Sequence, residues 1–255
     1  MLKKIEKING ENGKFALVKY TSLEKCNNKK ILIVPDFGKK GDHYFDLIYY
    51  LAFNGYAVTC LETENNVGEC DGYITNASLC IYEQNLKKVL KGERFDFLFT
   101  EKISVFYVIE SVIKMPVKPK IIMINLVESL KSQIKNEIDK IKLLNGFVIT
   151  EPLLDGWSGC ADIYSVFELI QLKNIDCTII YSKNDQVIEE NKKYISTVHL
   201  KCLNYFVEDI FKNPVITMEF YYHILETLNG YSNITSKIDV PSYMSIIEVF
   251  DKIDN

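Results

Sequence analysis

The sequence predicts an α/β fold: a mostly parallel central sheet covered by helices on both faces, with an N-terminal antiparallel hairpin and an inserted helical cap. Three observations carry this. From residue 30 onward, short apolar runs alternate with stretches of helical periodicity, the rhythm of βαβ units. Ahead of them, residues 3–9 and 14–20 flank Asn12-Gly13, a dipeptide that favours a hairpin turn. About 50 residues then separate the strands expected at 120–125 and 177–181, too many for a simple crossover.

Each element has its own signal. Residues 30–34 (Lys-Ile-Leu-Ile-Val) read as a buried strand, and Tyr44 to Phe53 as an amphipathic helix that stops at Asn54-Gly55. Strands follow at 56–61 and 95–99, with a helix over 78–90 between them that sets Leu79, Tyr82, Leu86, Val89 and Leu90 on one face. Residues 103–113 are helical and apolar nearly all round, which predicts a buried helix. After the strand at 120–125, residues 126–174 are expected to form the cap, placed over the carboxyl edge of the sheet where ligands of open α/β sheets bind. Strands at 177–181 and 200–207 and a helix over 214–228, with Pro214 in its first turn, complete a single domain spanning 1–255.

Composition narrows the chemistry. The chain has 255 residues and a formal charge of −4, so no general basic excess is available for nucleic acid. No run approaches the ~20 apolar residues of a membrane span, and the N-terminus lacks the apolar core of a signal peptide. Seven scattered cysteines with no C-x-x-C fit reduced cytoplasmic thiols rather than disulfides or a zinc site, and no metal or other cofactor is expected. There are three histidines, so any imidazole chemistry must use His43, His199 or His223. His199 falls at the start of a strand, at the far end from the carboxyl edge. His223 falls well into the last helix. His43 alone lies near the carboxyl edge, beside Asp42 as the expected N-cap of the first covering helix.

The run from Ile31 through Val34-Pro35-Asp36-Phe37-Gly38 to Asp42-His43, with Asn54-Gly55-Tyr56, resembles the acyl-transferase/thioesterase of bacterial bioluminescence operons. The likeness continues at Asn66-Val67-Gly68, Asn125-Leu126, Asn184-Asp185-x-Val187 and Ile238-Asp239-Val240, and so runs along nearly the whole chain. It implies an α/β-hydrolase fold with a Ser-Asp-His triad and release of long-chain fatty acid from acyl carrier protein. Carried over residue by residue, the acid matches at Asp185. The family's Ala-Ser-x-Ser elbow meets Thr100-Glu101-Lys102-Ile103-Ser104, which sets Lys102 at the nucleophile and Ser104 at the second serine. The histidine position meets Glu208. Small residues normally let the strained elbow form, and Glu101-Lys102-Ile103 contains none.

Two readings of these positions stand: a buried ion pair of Lys102 with Asp185 and Glu208, tolerable only if paired and hydrogen-bonded, or separate surface charges. Asp36, Phe37 and Gly38 occupy the loop that in the family helps form the oxyanion hole. An inward Asp36 carboxylate would oppose a developing oxyanion, and an outward one would be solvated. Phe147, Trp157, Tyr164 and Phe167 either line an acyl tunnel under the cap or pack it.

The resemblance therefore implies an acyl-transferase-like protein of fatty-acyl metabolism that lacks the serine and the histidine. As a pseudoenzyme it would bind a fatty-acyl ligand or a partner: acyl carrier protein, or a fatty-acyl reductase or synthetase. The alternatives are an active acyl thioesterase or transferase with a relocated nucleophile, Ser104 or a cysteine, and a purely structural oligomer subunit.

Overall fold

The computed structural model describes residues 1–23, 26–130, 133–135, 162–183, 185–195, 198–203 and 214–229. Eight strands form one sheet: β1 (Leu2–Asn9), β2 (Lys14–Thr21), β3 (Lys30–Val34), β4 (Ala57–Glu62), β5 (Phe97–Glu101), β6 (Lys120–Ile124), β7 (Cys177–Ser182) and β8 (His199–Leu203). Their order is β1-β2-β4-β3-β5-β6-β7-β8. The β1–β2 hairpin joins antiparallel to β4, and every other pairing is parallel. Helices α1 (Phe45–Phe53), α2 (Leu79–Gly92), α3 (Ser104–Val112), α4 (Ile163–Leu172), α5 (Gln186–Asn191) and α6 (Pro214–Asn229) connect or follow the strands.

The central strands β3 to β7 are apolar at consecutive positions because both faces of the sheet are buried there. Successive side chains point to opposite faces, and the core divides accordingly. Leu32, Val34, Leu98, Ile121 and Met123 join the cluster that includes α2, α3 and α4. Ile31, Ile33, Phe97, Phe99, Ile122 and Ile124 join the cluster containing α1 and α6 residues. α3 is buried at Ser104–Ile109, Ser111 and Val112, as its all-round apolar pattern predicts.

Three expectations need correction. β5 runs from Phe97 to Glu101 rather than 95–99, because the parallel register continues through Thr100 opposite Met123 and Glu101 opposite Ile124. This buries Thr100 and Glu101 in the sheet and shortens the following turn. A short 3-10 turn at Gly41–Tyr44 precedes α1, and its N-cap is Lys40, with Asp42 inside the turn. β8 begins at His199 itself, earlier than expected.

Residues 204–207 of the expected last strand and 136–161 of the expected cap lie outside the described residues. The part of the expected cap that is described as α4 packs into the core beside α3, with Phe167 fully buried.

The hairpin is fastened to the sheet by a buried carboxylate. Glu64, 1% exposed, accepts the amides of Glu11 (3.0 Å) and Asn12 (2.8 Å) and the Asn85 side-chain amide (2.9 Å). Its own amide donates to Asn85 Oδ1 at 3.1 Å. Glu64→Ala strands these donors, and a stranded buried donor costs about 1–3 kcal/mol. We expect a lower urea midpoint and faster amide exchange in residues 2–21.

Candidate active site

Lys102 sits at the turn between β5 and α3 with φ 45°, in the left-handed region that a lysine seldom adopts. This is the strained strand-to-helix geometry of a nucleophile elbow. The turn is closed by Lys102 itself, whose carbonyl accepts the Val105 amide at 3.3 Å and whose amide donates to the Ile124 carbonyl at 3.4 Å. Ser104 supplies the remaining bonds. Its hydroxyl is 2.6 Å from Thr100 Oγ1, accepts the Glu101 amide at 3.0 Å and lies 2.7 Å from the Glu101 carbonyl. Ser104 is wholly buried. It takes the place of small residues as the device that lets the elbow close.

Asp36, directly after β3 and Pro35, turns inward and is 2% exposed. Its Oδ1 accepts the Ile103 amide at 3.1 Å. In an α/β-hydrolase the amide after the nucleophile is half of the oxyanion hole, and the loop after this strand supplies the other half. Here the Phe37 amide of that loop also bonds the Asp36 carboxylate. The carboxylate thus takes up the Ile103 and Phe37 amides together.

A second buried carboxylate, Glu101, stands beside it. Its Oε1 accepts the Tyr44 hydroxyl and pairs with Lys39 Nζ at 2.5 Å. The same Tyr44 oxygen accepts the Asp36 amide at 3.1 Å. Burial pushes the Asp36 carboxyl up to about 7, the Glu101 charge adds to the rise, and Lys39, Lys102 and the Phe37 amide oppose it. Burial, then the charges of Glu101 and Asp36, hold the Tyr44 phenol well above its ordinary range.

The loop carrying Lys39 is itself held in place. Asn66 Oδ1 accepts the Gly38 amide at 2.9 Å, and Asn66 Nδ2 donates to the Lys39 carbonyl at 3.3 Å. Gly38 has φ 76°, which a glycine supplies without strain. Behind it, Glu62 accepts the Gly41 amide at 3.0 Å and the Glu69 amide at 2.6 Å. Gly68 is required there, since a Cβ at that position would fall 2.3 Å from Glu62 Oε2.

The other candidate residues are dispersed. Asp185 follows β7 at the same carboxyl edge and caps α5, accepting the Ile188 amide at 3.1 Å. The Lys102 charge acts on Asp36, whose carboxyl it draws downward. Glu208, Phe147 and Trp157, and Asn184 of the Asn-Asp-x-Val motif, lie outside the described residues. Tyr164 hydrogen-bonds Glu168 and packs edge-on to Tyr194 with ring centroids 4.4 Å apart. His43 is exposed, and its Nδ1 accepts the Lys40 amide at 3.1 Å. Tyr44, Glu101 and Lys39 escape a sequence reading. Tyr44 scans as an ordinary helix-face aromatic, and Glu101 as the end of a turn.

Residues 8–134 match the sequence profile of an acyl transferase family. No curated protein matches the chain. Solved structures share its fold. An esterase from Pyrococcus furiosus superposes with a TM-score of 0.63 at 16% identity, over 89% of this chain and 90% of that one. A soluble variant of monoglyceride lipase from Saccharomyces cerevisiae gives 0.62 at 11% identity, over 91% and 97%. The thioesterase domain from the curacin biosynthetic pathway gives 0.59 at 11% identity, over 86% and 100%. The protein therefore has the α/β-hydrolase fold, as its sequence predicts.

Proposed function

We propose that this protein is an acyl-transferase-type α/β-hydrolase that has given up serine chemistry and works by binding, holding an acyl chain or a partner protein of fatty-acyl metabolism. One observation carries the reading: the Asp36 carboxylate rests on the Ile103 amide while Lys102 stands at the elbow. Oxyanion stabilisation depends on donors aimed at the place where negative charge develops. A resident carboxyl group occupies those donors, and once ionised it also repels that charge.

Ser104, Cys60 and Cys177 are poorly placed for attack. The Ser104 hydroxyl is enclosed by Thr100 and the Glu101 backbone. Cys60 and Cys177 are buried, and burial drives both thiols upward, away from the reactive thiolate. Losing the nucleophile or the base of a triad lowers kcat by about four to six orders of magnitude. The polar groups at the site serve instead to fix a closed, charge-balanced elbow beneath the carboxyl edge.

Turnover of p-nitrophenyl octanoate tests this. We expect hydrolysis indistinguishable from buffer, and no change in Ser104→Ala once its folding is checked by circular dichroism. Clear turnover abolished by Ser104→Ala would instead establish an active thioesterase or transferase with a relocated nucleophile.

A further inference from the structure

The edge of the sheet opposite the elbow carries a groove of about 750 Å3 between the C-terminal ends of α2 and α3. Leu90, Met115, Pro116 and Val117 give it apolar walls, and Val117 is 55% exposed. Lys87, Lys91, Arg94 and Lys114 surround them. Two of these cations are committed: Lys87 to Glu83, and Lys114 to Glu83 at 3.4 Å and Glu110 at 4.0 Å. The one acid in the lining, Glu93, is held by Lys19 at 3.3 Å and Lys30 at 2.8 Å.

Lys91 and Arg94 remain, and neither forms an ion pair among the described residues. Arg94 is the only arginine of the chain.

We infer that this groove is a binding site for a monomeric alkyl carboxylate. The guanidinium of Arg94 presents a planar fork that matches a carboxylate. Lys91 lines the same groove, and the alkyl chain lies on the Leu90–Val117 walls. Two free cations suit one carboxylate head. A polyanion needs a longer basic track, which a chain of net charge −4 with its other groove lysines already paired does not offer. The volume falls within the roughly 300–1,000 Å3 of small-molecule sites. The site is separate from the elbow and does not depend on the function proposed for it.

Calorimetric titration of the full chain with dodecanoate, kept below its micelle threshold, tests the assignment. We expect one saturable site, weakened roughly tenfold or more by Arg94→Gln, partly restored in Arg94→Lys, and weakened also by Val117→Asp. Dodecanol, which lacks the charge, is expected to bind at least about tenfold more weakly. All three positions are at the surface, so folding is not at stake. The assignment is overturned by absence of saturable binding, by affinity unchanged in the Lys91→Gln/Arg94→Gln double variant, by equal affinity for dodecanol, or by association with phosphatidylglycerol vesicles alone.

Discussion

Asp36→Asn is expected to be more stable than the wild type at pH 8, and close to it at pH 4. The folded protein holds the Asp36 proton up to about 7, whereas the usual value is 3.8. Between those values the unfolded chain has released its proton and the folded chain has not. Wild-type stability therefore falls as pH rises through that window, and it is flat above it. With about 1.4 kcal/mol per pKa unit, the difference is on the order of 4 kcal/mol. Urea midpoints at several pH values check this directly, because the asparagine variant removes only this slope. Groups held below their ordinary range, such as Glu93 beside Lys30 and Lys19, act in both proteins and at lower pH. Identical pH slopes in the two proteins would show that Asp36 does not titrate in this buried position.

Tyr44→Phe is expected to be the most damaging single-atom change at the site. The hydroxyl serves two buried partners at once, donating to Glu101 Oε1 and accepting the Asp36 amide. Its removal strands that amide and leaves the Glu101 carboxylate with Lys39 as its charged partner. Leaving a buried donor unmet costs about 1–3 kcal/mol, and more where the partner is charged. A loss of roughly 2–4 kcal/mol follows, read as a lowered urea midpoint at unchanged m value. A loss within experimental error would mean that water takes over both bonds.

The central elements and their order are legible in the sequence because β3 to β7 are buried on both faces, so each of these strands announces itself as a short apolar run. Strand β5 and helix α3 leave only Lys102 and Ile103 between them, and Lys102 takes the left-handed φ of that turn. What the sequence does not disclose is the direction of Asp36. A carboxylate after a strand points inward or outward according to what meets it. Here the deciding groups are Tyr44, eight positions away, and the Ile103 amide, 67 positions away. Local pattern carries no information about partners at that separation. Whether Lys102 meets Asp185 and Glu208 is likewise not written in local pattern. The acid's helix-capping role is visible locally, but the Lys102–Asp36 interaction depends on how two loops meet. Ser104 illustrates a further limit, since a serine that braces an elbow and a serine that attacks from one read alike in sequence.

We propose that the elbow carries no acyl-accepting nucleophile, because Lys102 stands at its apex and the Asp36 carboxyl occupies the Ile103 amide. Intact-protein mass spectrometry during exposure to p-nitrophenyl octanoate tests it most directly. No octanoyl adduct on a serine or cysteine and no stoichiometric burst of nitrophenol are expected. A burst accompanied by one octanoyl group, mapped to Ser104 or to a cysteine, would contradict it.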